Sequence, residues 1–238
     1  MEKLKILTLT MSTSTVNYKI TWEKLPDGFV LHDEPVDNIN QPSLAAALTE
    51  SLEINGKLPP NALATTNYGI CATLNQKIVV KAPDWAYIPA IRVLREEVKR
   101  SYTPQLQGDI PVIVMEFLSD TEGGEYSIKP TYPPGKWFFY ERVLQVPNYV
   151  IFTPDTGELE VYQLDDSGRY QLRDPDANNL YWIAQMNLFL GQWQRTRENR
   201  TGYWLRWWNE NGELLPWGSE KAERLAAQLR AAGIEPEV

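Results

Sequence analysis

The apolar positions of this chain follow several spacings, and each spacing predicts an element. Leu44, Ala47, Leu48 and Leu52 recur at helical intervals. Pro42 precedes them at a first-turn position, where a missing N–H costs nothing, and Asn55-Gly56 follows as a stop. A short amphipathic helix is expected over Leu44–Leu52. Val112 to Leu118 is apolar without alternation, the pattern of a strand buried on both faces, so a central strand is expected over Ile113–Phe117. Ile78–Val80, Tyr149–Phe152 and Leu159–Tyr162 read as further strands. The last two are joined as a hairpin through the turn Asp155-Thr156-Gly157. Trp85 to Ile88 either extends the Ile78–Val80 strand or follows it.

Helical periodicity returns twice. Phe139, Tyr140, Val143 and Leu144 define the inward face of a helix over Lys136–Leu144. Ala222, Leu225, Ala226 and Leu229 line a C-terminal helix over Lys221–Arg230, closed by Gly233. Arg92 to Arg100 reads as a short helix with a basic face. Met1 to Val16 is rich in Ser and Thr and lacks periodicity. The expected organisation is a tail over 1–15 and a single domain over 16–238. Strand, helix, strand and hairpin in that order imply an α/β fold with a mixed central sheet flanked by helices. A C-terminal β-hairpin and helix follow it.

Composition narrows the function classes. The chain has 238 residues, 43% of them hydrophobic and 23% charged, which suits a folded domain rather than a disordered one. Its net charge of −8 argues against a general coat for nucleic acid, which would be basic, but leaves room for a local basic groove. One cysteine, Cys71, excludes an internal disulfide and points to a reducing, cytoplasmic compartment. Together with the single histidine, His32, it is too few for a structural zinc site. No apolar run approaches the ~20 residues of a membrane-spanning helix, so no membrane partner is expected.

Three charged residues resist explanation by packing. Glu116 lies inside the apolar run Val112 to Leu118, where an unpaired carboxylate costs several kcal/mol. Asp84 follows Pro83 behind a second apolar strand, although Pro-Asp is also a common turn. Lys136 lies three residues before Phe139 and four before Tyr140, on the inward face of its helix. A solvated strand end, a turn and a snorkelling lysine are the plain alternatives.

Taken together, Pro83-Asp84, Val114-Met115-Glu116-Phe117-Leu118-Ser119 and Lys136-x-x-x-Tyr140, followed by Val146-Pro147-Asn148-Tyr149, resemble the Uma-two (Uma2) family. These are restriction-endonuclease-like proteins of the PD-(D/E)XK nuclease superfamily. The resemblance runs from about Ile20 to Ile234. The superfamily places a lysine two residues after the acid. Here that position is Leu118, and Lys136 matches a lysine moved to the following helix. The resemblance implies a metal-dependent endonuclease, acting on DNA, with Asp84, Glu116 and Lys136 as catalytic residues. The carboxylates of Asp84 and Glu116 and the main-chain carbonyl of Phe117 would hold Mg²⁺ or Mn²⁺. Glu50, Tyr140 and Ser119 are candidates for the surrounding contacts. For Glu50, a solvent-facing glutamate opposite the leucine stripe is the favoured reading.

A second reading is a non-catalytic interaction protein, a homodimer on a retained nuclease-like fold. A third, a Trp-rich sugar-binding β-domain, is opposed by the buried strand and the inward lysine. The stretch Trp193 to Trp208 bears on the choice, with Arg195, Arg197, Arg200, Trp204 and Arg206 interleaved among aromatics. Such a stretch suits a core and dimer interface first, and phosphate contact with base stacking second.

Overall fold

A computed structural model describes residues 19–24, 26, 39–118 and 124–236. The expected tail over 1–15, His32 and Ser119 lie outside the described residues. In chain order these form β1 (Ile20–Thr21), α1 (Gln41–Ile54), β2 (Leu63–Thr65), β3 (Ile70–Leu74), β4 (Lys77–Lys81), β5 (Trp85–Ile88) and β6 (Ile113–Phe117). Then come α2 (Lys136–Phe138), β7 (Asn148–Thr153), β8 (Glu158–Leu164) and β9 (Tyr170–Leu172). The chain continues as β10 (Tyr181–Ile183), β11 (Leu188–Arg197), β12 (Arg200–Trp208) and α3 (Gly218–Ala231).

The six-stranded central sheet has the order β2-β5-β6-β7-β8-β9, so β6 is interior, and all five of its residues are buried. Only β6 and β7 pair in parallel; the other neighbours are antiparallel. The sheet is therefore mixed, as expected. Because side chains alternate along a strand, it feeds two cores. Ile113, Met115 and Phe117 face a core shared with Leu44, Leu48 and Leu52 of α1 and with Leu190, Leu205 and Trp207 of the long hairpin. Val114 and Ile151 face the other core, closed by Ile70, Ala72 and Val79 of the small β1-β3-β4 sheet and by Phe139, Tyr140 and Val143.

Several expectations change in detail. Trp85–Ile88 does not extend β4. It is a strand of the central sheet, because Pro83 cannot donate to a ladder and the chain turns away there. The helix at Lys136 holds α-geometry for one turn and continues as a π-helical turn over Phe139–Leu144, ended by Gln145 at φ 56°. Arg92 to Arg100 shrinks to one 3₁₀ turn, Arg95–Val98. Only Val98 of that turn is buried, so no apolar stripe supports a longer helix. On α3 the apolar stripe faces solvent, with Leu225 and Leu229 exposed.

What anchors α3 is its first turn. Glu220 takes Arg206 Nη1 at 3.1 Å and Nη2 at 2.6 Å, and the Trp217 N–H donates to the same carboxylate. The Arg206 guanidinium lies 3.6 Å from the Trp217 ring centroid and has no solvent exposure. Removing one partner of such a pair leaves a buried charge uncompensated. Glu220→Gln is expected to destabilise the fold by about 3 kcal/mol in urea denaturation. Arg206→Met, which removes the charge that needs the partner, is expected to cost less.

Candidate active site

Glu116 points into the second core because it alternates with Met115 and Phe117, and it has no solvent exposure. The β5–β6 register pairs Trp85 with Met115 and Ala86 with Val114. One step further along that antiparallel ladder brings Asp84 opposite Glu116, on the same face. There Asp84 Oδ2 accepts the main-chain N–H of Phe117 at 2.5 Å. The carbonyl of the same residue accepts from Gln41 Nε2, at the start of α1, at 2.7 Å. The main chain of Phe117 is thus held at both its N–H and its carbonyl.

Lys136 is the first residue of α2. Its Nζ donates to Glu116 Oε2 at 3.0 Å and to Glu125 Oε1 at 3.2 Å. Tyr140, one turn later, donates its hydroxyl to Glu116 Oε1 at 3.0 Å. Both oxygens of the buried carboxylate therefore have a donor, which is the condition for keeping it there. The Tyr149 hydroxyl holds the main-chain carbonyl of Glu125 at 2.9 Å. The Lys136 side chain is 25% exposed, so the cluster is not sealed from solvent.

Burial pushes the Glu116 carboxyl up to about 8, against the pull of the Lys136 ammonium; nearby Asp84 and Glu125 push it further up. For Lys136 burial works the other way, but Glu116, Glu125 and Asp84 together lift its ammonium above the ordinary lysine range. The lysine stays charged at neutral pH, and the glutamate resists ionising without a further cation.

Asp84, Glu116, Phe117, Lys136 and Tyr140 are thus brought together. Glu50 is not. It lies nine residues along α1 from Gln41, about 14 Å by helical rise, and its carboxylate takes Arg197 Nη2 at 2.6 Å and the Gly218 N–H at 3.0 Å. It is neither near the cluster nor simply solvent-facing. The aromatic and arginine stretch also divides. Trp204 and Arg206 have no exposure and serve the core, covered by Trp217 and α3, so neither is a contact for nucleic acid or a second copy. Arg197 is held by Glu50 and Glu198, and Arg200 lies over the Trp204 ring. Arg195 remains exposed.

Two members of the cluster escaped the sequence reading. Glu125 lies in a Gly/Pro/Tyr loop, where the one clue was the inward Lys136, which needed carboxylates. Gln41 precedes Pro42 at a helix start, and no spacing links it to β6.

The donor set fits a hard divalent cation. Two carboxylates and a carbonyl offer oxygen ligands, the carbonyl has a second lone pair beyond the one Gln41 uses, and Mg²⁺ usually keeps several waters. Among the described residues, no group of three or more His, Cys, Asp or Glu is arranged to hold a metal ion, so the set depends on Asp84, Glu116 and the carbonyl.

Comparison with known proteins places the chain in a family. A family model described as Uma2, putative restriction endonuclease, matches residues 61–198. The match covers more than half of the chain, a narrower span than the resemblance from Ile20 to Ile234, and it includes Asp84, Glu116 and Lys136 but not α1 or α3. No curated protein and no solved structure matches the chain.

Ionisation of Glu116 has a consequence for stability. With a carboxyl near 8 in the folded state and near 4.5 when unfolded, the folded protein binds the extra proton between those values. Stability of the metal-free protein should therefore fall as pH rises from 5 to 8. Removing the titrating group with Glu116→Gln should flatten that decline by on the order of 2 kcal/mol. Urea denaturation at pH 5 and pH 8 in EDTA measures it.

Proposed function

This chain belongs to the Uma2 family, and we propose that it is a metal-dependent endonuclease that hydrolyses phosphodiester bonds of DNA. The reading is carried by the fully buried Glu116 held by Lys136 at 3.0 Å, beside an Asp84 tied to the next peptide of the same strand. A structural core has no use for such a set. Phosphodiester hydrolysis does, because it needs an activated water, neutralised phosphate charge and a stabilised leaving oxygen.

Asp84, Glu116 and the Phe117 carbonyl would hold Mg²⁺ or Mn²⁺, which when bound lowers the pKa of water and polarises the phosphate. The remaining work falls to side chains. Lys136 presents a permanently charged ammonium at the solvent edge of the cluster, where it stabilises negative charge developing on a phosphate oxygen. Tyr140 fixes the Glu116 carboxylate through Oε1, and Glu125 limits the positions open to Lys136. Gln41 at the Phe117 carbonyl and Asp84 at its N–H hold the main chain on both sides of that residue, so that the carbonyl does not swing.

Among the described residues no helix is long and apolar enough to cross a membrane. The buried, unpaired Cys71 suits the cytoplasm. A homodimer is also part of the proposal. Its support is now Trp182 and Trp193, both more than 40% exposed, rather than the buried Trp204 and Arg206. Light scattering at micromolar concentration should give twice the chain mass, and a strict monomer would remove that part.

Purified protein is expected to nick or linearise plasmid DNA with Mg²⁺ or Mn²⁺ and not in EDTA. Asp84→Asn and Lys136→Met should each lower the rate at least about 100-fold. Lys136→Met should keep Mn²⁺ binding in calorimetry, and Asp84→Asn should weaken it. A wild-type protein that binds Mn²⁺ but leaves single-stranded and plasmid DNA intact would favour the non-catalytic interaction reading.

A further inference from the structure

The hairpin of arginines and tryptophans was the part of the sequence that suggested nucleic acid, and most of it is now committed elsewhere. The loop that leads into Lys136 offers a different surface. Among the described residues twelve large apolar side chains are well exposed, and three of them, Tyr126, Ile128 and Tyr132, fall within seven residues of the loop leading into Lys136. Three such residues on one loop beside the site make that loop a candidate interaction surface.

The loop is firmly built. Its Ser127 N–H bonds to the Gly124 carbonyl at 3.0 Å, and the Gly135 N–H to the Lys129 carbonyl at 2.9 Å. A Cβ at Gly135 would lie 2.0 Å from the Ser127 carbonyl oxygen, so the two ends of the loop touch immediately before α2. The Tyr126 ring stacks on Trp137, the residue after Lys136, with centroids 6.4 Å apart. The Tyr132 hydroxyl donates to the Ile78 carbonyl at 3.2 Å, which joins the loop to β4.

That joint is basic. Lys77 lies over the Tyr132 ring, 4.9 Å from its centroid. Lys77, Val79 and Lys81 share one face of β4, and Val79 on that face packs into the core that contains Tyr140. Lys81 ends β4 three residues before Asp84. Lys129, exposed, stands on the loop itself. In a chain of net charge −8, lysines therefore run along β4 toward Asp84 beside half-exposed tyrosine rings. Positive charge interleaved with accessible aromatic faces is what a phosphate backbone with unpaired bases requires; a closed duplex hides its base faces.

We propose that the rim formed by β4 and the loop 124–135 is where the strand to be cut is held, as single-stranded DNA. Lys77 and Lys129 neutralise phosphates, and a base stacks on Tyr132. The proposal rests on the nuclease reading for the choice of ligand, but it is tested by binding alone.

The probe is a fluorescently labelled, mixed-sequence DNA single strand, followed by anisotropy in EDTA so that no cutting is required. The wild-type protein should bind it more tightly than the same sequence as a duplex. Lys77→Ala combined with Lys129→Ala should weaken binding on the order of tenfold and reduce the slope of log affinity against log salt by about 1.4, the value for two phosphate contacts on a single strand. Tyr132→Ala should cost about tenfold, and Tyr132→Phe should restore most of it, because the ring and not the hydroxyl stacks. Arg195→Ala, on the exposed part of the hairpin, should change nothing. Melting curves of each variant confirm that the fold survives. Absence of wild-type binding overturns the proposal, as does binding that tolerates both rim variants, that is lost in Arg195→Ala, or that favours the duplex. Metal binding and plasmid cutting are measured separately, so failure here and failure of the nuclease reading are distinguishable.

Discussion

A carboxylate without solvent exposure in the middle of a sheet is the constraint to which this structure answers. Glu116 stands on β6, between two cores, and its two oxygens must be satisfied from a single side. Lys136 and Tyr140 do so because they are one turn apart on the same helix, so the helix has to cross β6 at that height. Glu125 then balances the other side of the ammonium, and the loop that carries it has to close against α2. Much of the second core is arranged around a buried polar cluster, where apolar residues of similar volume often fold as stably.

The two faces of the sheet divide the labour. The face toward α1 and the long hairpin is filled with leucines and tryptophans and supplies most of the burial. The other face carries the tyrosines, the buried charge and the small β1-β3-β4 sheet. Asp84 holds the peptide before Phe117 and Gln41 the carbonyl after it, so the position of the Phe117 carbonyl depends on α1 staying docked. This links stability of the first core to geometry of the candidate site.

Much of this was legible in the sequence, for physical reasons. A charged residue inside an unbroken apolar strand and a lysine on the apolar face of a helix each violate patterning, and such violations tend to mark sites. Glu116 and Lys136 stood out that way; Asp84 stood out more weakly, as a Pro-Asp that could be a turn, and the family resemblance strengthened it. Glu125 and Gln41 violate nothing: each is a polar residue in a loop or at a helix start, and only the fold carries them to β6. The stretch from Trp193 to Trp208 was expected to serve a core and an interface first, and Trp204, Arg206 and Trp207 are in the core, but which of its residues are covered was not legible. Interleaved Arg and Trp look the same on an open strand face as on one covered by Trp217 and α3, and the covering segment begins nine residues after β12 ends. The stripe on α3 shows the same limit, since periodicity states that a face is apolar and not that anything covers it.

The central claim is that Asp84, Glu116 and the Phe117 carbonyl form one divalent-cation site beside Lys136. Crystals soaked in Mn²⁺ and recorded at a wavelength where manganese scatters anomalously test it directly. A single strong peak is expected within ligand distance of all three groups, with waters completing the shell and Lys136 close by. A peak elsewhere, or a map without one while the Asp84 and Glu116 carboxylates remain ordered, would contradict it.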